Sequence, residues 1–166
     1  MKAKSIIICI GVLLICSSCS GQNNKSLIQI NESIANSFIE YLNAHDVDRF
    51  TALFAENCLY EEVAPGRTYK TREKLAIYIG STISGIPDTR FETINVLAND
   101  SIAVIEWIWK GTNTVGWIDM GLPATNKYFE LRGTSLMVIK NGFITRNSDY
   151  WDWNSFLIGI GAKQQK

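Results

Sequence analysis

The sequence has 166 residues, 16 basic and 16 acidic side chains, one His, four Cys and 46% hydrophobic residues. That length suits one domain, or two small ones, with ample chain for a hydrophobic core. Zero net charge argues against a nucleic-acid partner, which calls for a basic excess on one face. One His and scattered Cys are poor material for a metal site, and too few for a disulfide-stapled miniprotein, so no metal is expected.

The chain opens Met1-Lys2-Ala3-Lys4-Ser5, continues as an apolar run from Ile6 to Ile15, and then reads Cys16-Ser17-Ser18-Cys19-Ser20-Gly21. A basic start, a short apolar stretch and a small-residue boundary make a secretory signal peptide. The stretch is well short of the roughly 20 residues that span a bilayer. The boundary resembles a bacterial lipobox with Cys19 as the lipidated first residue of the mature chain. Cys16 follows the bulky Ile15 and is the poorer candidate, although Leu or Val is commoner than Cys16 three places before a lipidated Cys. The expectation is a leader over 1–18, a tether over 19–26, a folded domain over 27–162 and a tail over 163–166. The protein would then be an exported, membrane-anchored lipoprotein, periplasmic or on the outer membrane, touching the membrane through its lipid alone. Without the leader, 14 basic residues face 16 acidic ones, a net charge of −2, and the domain keeps only Cys58. In its apolar setting that Cys reads as a buried small hydrophobe.

Helical spacing of Ile34, Ala35, Phe38, Tyr41 and Leu42 predicts an amphipathic helix over 31–44, with Asn31 as N-cap. His45 is a turn residue, and Asp46 caps a short second helix carrying Val47, Phe50, Leu53 and Phe54. Residues 58–63 read as a strand ended by Ala64-Pro65-Gly66. A third helix follows over 72–83, capped by Thr71, with Leu75, Ala76, Ile79 and Ile83 on one face. Strands are expected over 90–97, 102–109, 128–139 and 143–150, with a loop over 112–125 and a hairpin turn at Asn141-Gly142. A short helix behind Asp152 closes the chain. Three helices around one strand, followed by a meander of four, make an α+β fold: a strongly bent antiparallel sheet with helices enclosing a pocket.

Several short motifs now fall into an order. They are Ala44-His45-Asp46, Ile86-Pro87-Asp88, Gly111-Thr112-Asn113-Thr114, Gly121-Leu122-Pro123-Ala124-Thr125, Glu130-Leu131-Arg132-Gly133 and Asp149-Tyr150-Trp151-Asp152. Together they resemble the SnoaL-like, polyketide-cyclase-like family of the NTF2-like superfamily, from about Leu27 to Gly161. The resemblance implies an NTF2-like cone with an apolar pocket, cofactor-free chemistry, and Asp149 as the general acid/base of an intramolecular aldol closure. Homodimerisation through the exposed sheet face is implied as well. Fold alone does not fix activity, since this one serves cyclases, isomerases, dehydratases, epoxide hydrolases and plain binding modules.

The sequence departs from the family at two places. Asn113 stands where the cyclase pattern usually has His, and exchanges no proton at neutral pH. Trp107 and Trp109 stand where epoxide-hydrolase relatives alternate Arg and Asp, which disfavours epoxide hydrolysis. By period-2 alternation the two Trp share one strand face, as walls for a ring-shaped ligand or as interface residues. Tyr60 and Glu62 alternate on the first strand and could bring a hydroxyl and a second carboxylate beside Asp149, raising one pKa. The alternative makes Glu61 and Glu62 a solvated strand end. Asp149 could equally pair with Arg146 or Arg132, and Glu106 suits a salt bridge on the surface or at a dimer interface. Asp152 reads as a helix cap, and Trp117 as a residue closing over the pocket mouth. The expected ligand set is thus Tyr60, Glu62, Trp107, Trp109, Asn113 and Trp117 around a small apolar or aromatic molecule. Two functions stay open: a lipid-anchored binding module, and a cofactor-independent cyclase or isomerase using Asp149.

Overall fold

The computed structural model describes residues 26–164. The leader, Cys19 and most of the tether lie outside them. No helix among the described residues is long and apolar enough to cross a membrane.

Helix α1 (Leu27–Asn43) starts four residues earlier than periodicity indicates. Its N-cap is Ser26, whose side chain accepts from the Gln29 N–H while the Gln29 side chain accepts from the Ser26 N–H. This reciprocal capping box satisfies two otherwise orphaned donors and outweighs the weaker cap at Asn31. Asn31 is instead buried, its amide donating to the Asn99 carbonyl at 2.9 Å. The turn behind α1 sits at His45, with φ of 55°, a left-handed backbone that His tolerates better than most residues. Asp46 then caps α2 (Val47–Ala52) by accepting from the Arg49 N–H. Phe54 belongs to strand β1 (Phe54–Glu62), not to α2. A three-residue strand, β2 (Arg67–Tyr69), pairs with the end of β1 and was too short to show in the pattern. Helix α3 (Arg72–Gly85) carries its cap at Thr71.

The remaining strands are β3 (Arg90–Ala98), β4 (Ile102–Thr112), β5 (Gly116–Trp117), β6 (Leu122–Pro123), β7 (Tyr128–Lys140) and β8 (Phe143–Trp151). Asn141 and Gly142 join β7 to β8 with φ of 52° and 78°, the two positive values that a two-residue hairpin turn demands. Helix α4 (Trp153–Gly159) follows, with the Asp152 carboxylate accepting from the Asn154 and Ser155 N–H groups.

Six strands form one curled sheet in the order β2-β1-β8-β7-β4-β3, while β5 and β6 pair separately. All pairings in the large sheet are antiparallel except β1 with β8, which run parallel. That exception corrects the expected all-antiparallel sheet. The helical stretch between β2 and β3 lets the first strand return beside the last, and it fixes the site because Glu62 falls opposite Asp149. Alternation sends Ala103, Ile105, Trp107 and Trp109 of β4, and Phe129, Leu131 and Met137 of β7, into the core beneath the helices. The outcome is the α+β cone that the element order implied.

Candidate functional site

On β8 the residues Asn147, Asp149 and Trp151 alternate inward, and on β1 the inward residues include Tyr60 and Glu62. Parallel register pairs Tyr60 with Asn147 and Glu62 with Asp149, which brings both carboxyl groups to one face at one level of the sheet. Glu62 and Asp149 are only 4% and 5% exposed, which rules out the solvated strand end for Glu62. Glu61, pointing the other way, bonds to Ser148 Oγ and Arg146 Nε at 2.6 and 2.8 Å. Arg146 is therefore committed to Glu61, and Arg132 lies 4.0 Å from Glu106 on the outer face, so neither neutralises Asp149.

Each carboxyl group is held by neutral donors. The Tyr60 hydroxyl donates to Asp149 Oδ2, and Asn147 Nδ2 donates to Oδ1 at 2.7 Å. Ser135 sits opposite Asp149 across β7 and β8. Glu62 accepts from the Tyr78 hydroxyl at 2.5 Å and from Trp151 Nε1 at 2.7 Å. Burial, and then the charge of Asp149, push the Glu62 carboxyl up to about 8, against the opposing pull of the Tyr78 and Trp151 hydrogen bonds. Burial raises Asp149 too, while Ser135, Tyr60 and Asn147 restrain the rise. Two like charges side by side in an apolar site do not both ionise readily, so the two carboxyl groups titrate as a pair and hold a proton to higher pH than either would in water.

The pair opens onto a cavity of about 40 Å³ between α1, α3 and the sheet. Probe-filled space of that size holds about three water molecules. Tyr60, Glu62, Trp107, Trp109 and Asp149 all line it. Trp107 is anchored through Nε1 to Ser135 Oγ at 2.9 Å and Trp109 to Thr89 Oγ1 at 2.7 Å, which fixes both indoles as walls. Half-buried Thr82 and Ile83 on α3 and Phe91 on β3 mark the mouth.

Two expected ligand contacts lie elsewhere. Asn113 is buried among backbone groups: its Nδ2 donates to the Pro123 carbonyl and to Thr125 Oγ1, and its carbonyl accepts from the Thr125 and Asn126 N–H groups. It folds the 112–125 loop onto itself and does not line the cavity at Glu62 and Asp149. Trp117 is fully buried rather than poised over the mouth, stacked 5.9 Å from Tyr78 and edge-on to Trp109 and Phe156. An indole that can bury against three rings does so, even from a loop. Sequence reading missed Tyr78, Ser135 and Asn147. Tyr78 lies on the α3 face with Leu75 and Ile79, where an aromatic reads simply as core. Among the described residues no group of three or more His, Cys, Asp or Glu gathers as metal ligands, and Cys58 is buried with its thiol pushed up by desolvation.

A curled sheet closed by helices over an apolar cavity with a few convergent polar groups defines the NTF2-like, ketosteroid-isomerase-like class of folds. The chain belongs to the SnoaL-like domain family, whose sequence profile matches residues 35–147. No curated protein matches. Among solved structures, a protein assigned to the SnoaL-like polyketide cyclases from Jannaschia sp. CCS1 superposes with a TM-score of 0.75 at 13% identity, covering 86% of this chain and 99% of that one. TsrD from Streptomyces laurentii gives a TM-score of 0.70 at 16% identity, covering 81% and 96%. A Catenulispora acidiphila protein with a ketosteroid isomerase-like fold, in complex with trimethylamine, gives 0.67 at 19% identity, covering 77% and 92%. At such identities the likeness shows the fold alone.

Proposed function

We propose that the chain is an exported, lipid-anchored domain that binds a small molecule in the cavity between α1, α3 and the curled sheet, in contact with Glu62 and Asp149. The observation that carries this reading is the burial of two carboxyl groups side by side in an apolar cavity. Removing two like charges from water weakens a fold, and groups kept against stability mark functional sites. The Catenulispora protein of similar fold, in complex with trimethylamine, supports the reading of a small-molecule ligand. Glu62→Gln and Asp149→Asn preserve shape and remove charge. Both variants are expected to withstand more urea than the parent at about pH 9, where the pair is most costly. Equal or lower midpoints in both would make the pair structural and remove the reading.

A second reading, a cofactor-independent cyclase or isomerase, is favoured by the contrast between the two carboxyl groups. With the proton of the pair on Glu62, ionised Asp149 can take a proton from the carbon next to a carbonyl while Glu62 gives its own to the developing alkoxide. Exchange of the α-protons of cyclopentanone into D2O, followed by NMR, tests it. Asp149→Asn should abolish exchange, and an undiminished rate would sink the catalytic role.

The anchor and the dimer belong to the same proposal. Mass spectrometry of the mature chain should find acylation on Cys19, and Cys19→Ala should remove the protein from membranes. Outward residues Leu97, Val104 and Leu136 lie in one row across β3, β4 and β7, with Leu97 69% exposed, a surface suited to a second copy. Sedimentation of Leu97→Glu should show monomer where the parent shows dimer.

A further inference from the structure

We infer that the cavity selects a compact organic cation, whose alkylammonium group sits among aromatic faces and pairs with Glu62 and Asp149. This rests on the reading of the cavity as a ligand site and names the class of ligand. Three observations point the same way. The first is charge: the lining contains two carboxyl groups and no Lys, Arg or His, so the site has no internal counter-charge. The second is the walls. Tyr60, Tyr78, Phe91, Trp107, Trp109 and Trp151 line one small space. Trp109 is stacked on both Phe91 and Phe156, and Tyr78 on both Tyr69 and Trp117, so Tyr60, Trp107 and Trp151 have the freer faces, and a desolvated ring face attracts a cation by about 2 kcal/mol.

The third is the donor inventory, which separates a cation from an oxygen-rich ligand. Each phenol and indole N–H of the lining is already spent within the protein. Tyr60 donates to Asp149, Tyr78 and Trp151 to Glu62, Trp107 to Ser135 and Trp109 to Thr89. An anion would find little to donate to it here. An ammonium finds carboxyl oxygens with spare lone pairs. Size points the same way, since a space of about 40 Å³, room for about three water molecules, favours a compact ammonium over a fused-ring polyketide.

Charge neutrality then links binding to protons. The groups facing the pair are Tyr60 on β1 and Tyr78 on α3, with Tyr69 of β2 stacked behind Tyr78 at 4.3 Å. From α1, β3, β4 and β7 the facing side chains are the neutral Phe38, Leu42, Phe91, Trp107, Trp109 and Ser135. The proton held by the pair is thus the only one that an incoming cation can displace near neutrality. Binding at about pH 7 should release up to about one proton, and affinity should rise with pH until both groups ionise.

Two probes of one shape, tert-butylammonium and tert-butanol, separate charge from shape, and the larger pivalate adds an anion with the same tert-butyl group; their charges are about +1, 0 and −1 in the working range. Tryptophan fluorescence of the mature chain reads occupancy, because three of the wall residues are indoles. At about pH 8.5 the ammonium should bind at least about tenfold more tightly than the alcohol, with no saturation by pivalate. At about pH 5.5 its affinity should fall at least about fivefold. Binding heats in phosphate and in Tris should differ by the released proton. Asp149→Asn should bring the ammonium-to-alcohol preference below about twofold, and Phe91→Leu, at the half-exposed mouth, should weaken the ammonium about two- to fivefold and spare the alcohol. Equal affinity for ammonium and alcohol at both pH values would overturn the inference and leave the ligand-site reading standing. Failure of the ammonium to saturate by about 50 mM would overturn it as well. The urea midpoint of Glu62→Gln then tells whether the ligand-site reading falls with it.

Discussion

Glu61 and Glu62 are neighbours of identical chemistry on one strand, yet they live in opposite electrostatic worlds. Glu61 faces outward, and its hydrogen bond from Ser148, then that from Arg146, hold its carboxyl below the usual range. Glu62 faces inward, where burial and Asp149 drive its carboxyl up to about 8. Across the next strand the same split recurs, with Ser148 serving the outer face and Asp149 the inner. A strand's two-residue period is enough to separate a solvated, neutralised carboxylate from one whose charge is stored against the fold.

The largest effect should come from crowding the inner face. The Trp107 ring lies over Gly133 so closely that an added Cβ would stand 2.1 Å from it. Gly133→Val should therefore lose on the order of 3 kcal/mol or more in urea unfolding. Next comes the charge itself. A carboxyl raised in the folded state contributes its full stability below its unfolded value of about 4.5 and loses it as pH climbs towards about 8. Glu62→Gln should accordingly match the parent at about pH 4 and exceed it by on the order of 2 kcal/mol at about pH 9, so that the parent's decline is flattened. A third carboxylate shows what exposure does. Asp152 caps α4 from solvent, and Asp152→Ala should cost about 1 kcal/mol with no loss of cavity binding. Smallest is the outer pair. Glu61 is depressed in the folded state, so its stabilisation exists above its unfolded value and fades as pH falls. Glu61→Gln should lose well under about 1 kcal/mol at neutral pH and nothing at about pH 3. A pH dependence of the same sign at both positions would erase the distinction between the faces.

Much of the architecture could be read from the chain. The turn at Asn141-Gly142, the caps at Asp46, Thr71 and Asp152, and the alternation that put Trp107 and Trp109 on one face are local signals, and the structure carries each of them. Helix α1 begins ahead of its apolar stripe because the Ser26–Gln29 capping box sets the start, and periodicity alone does not reach it. Asn113 takes its expected ligand role from the family position that it occupies, and Trp117 from the loop in which it sits. A loop rich in Gly and Pro suggests exposure, and nothing in its order reveals that its one large ring will find three others to stack against. Tyr78 was missed because a helical aromatic gives no sign of whether its hydroxyl meets water or a carboxylate.

The sequence by itself determined the succession of the four helices and the five longer strands and the family to which they belong, because turn geometry, capping and side-chain period act over a few residues. Whether Glu62 is solvated was beyond its reach. That rested on the parallel pairing of β1 with β8, a contact between segments 87 positions apart that sets Glu62 opposite Asp149. The ionisation of a carboxyl group depends on what surrounds it in space, and only the closed sheet supplied those surroundings.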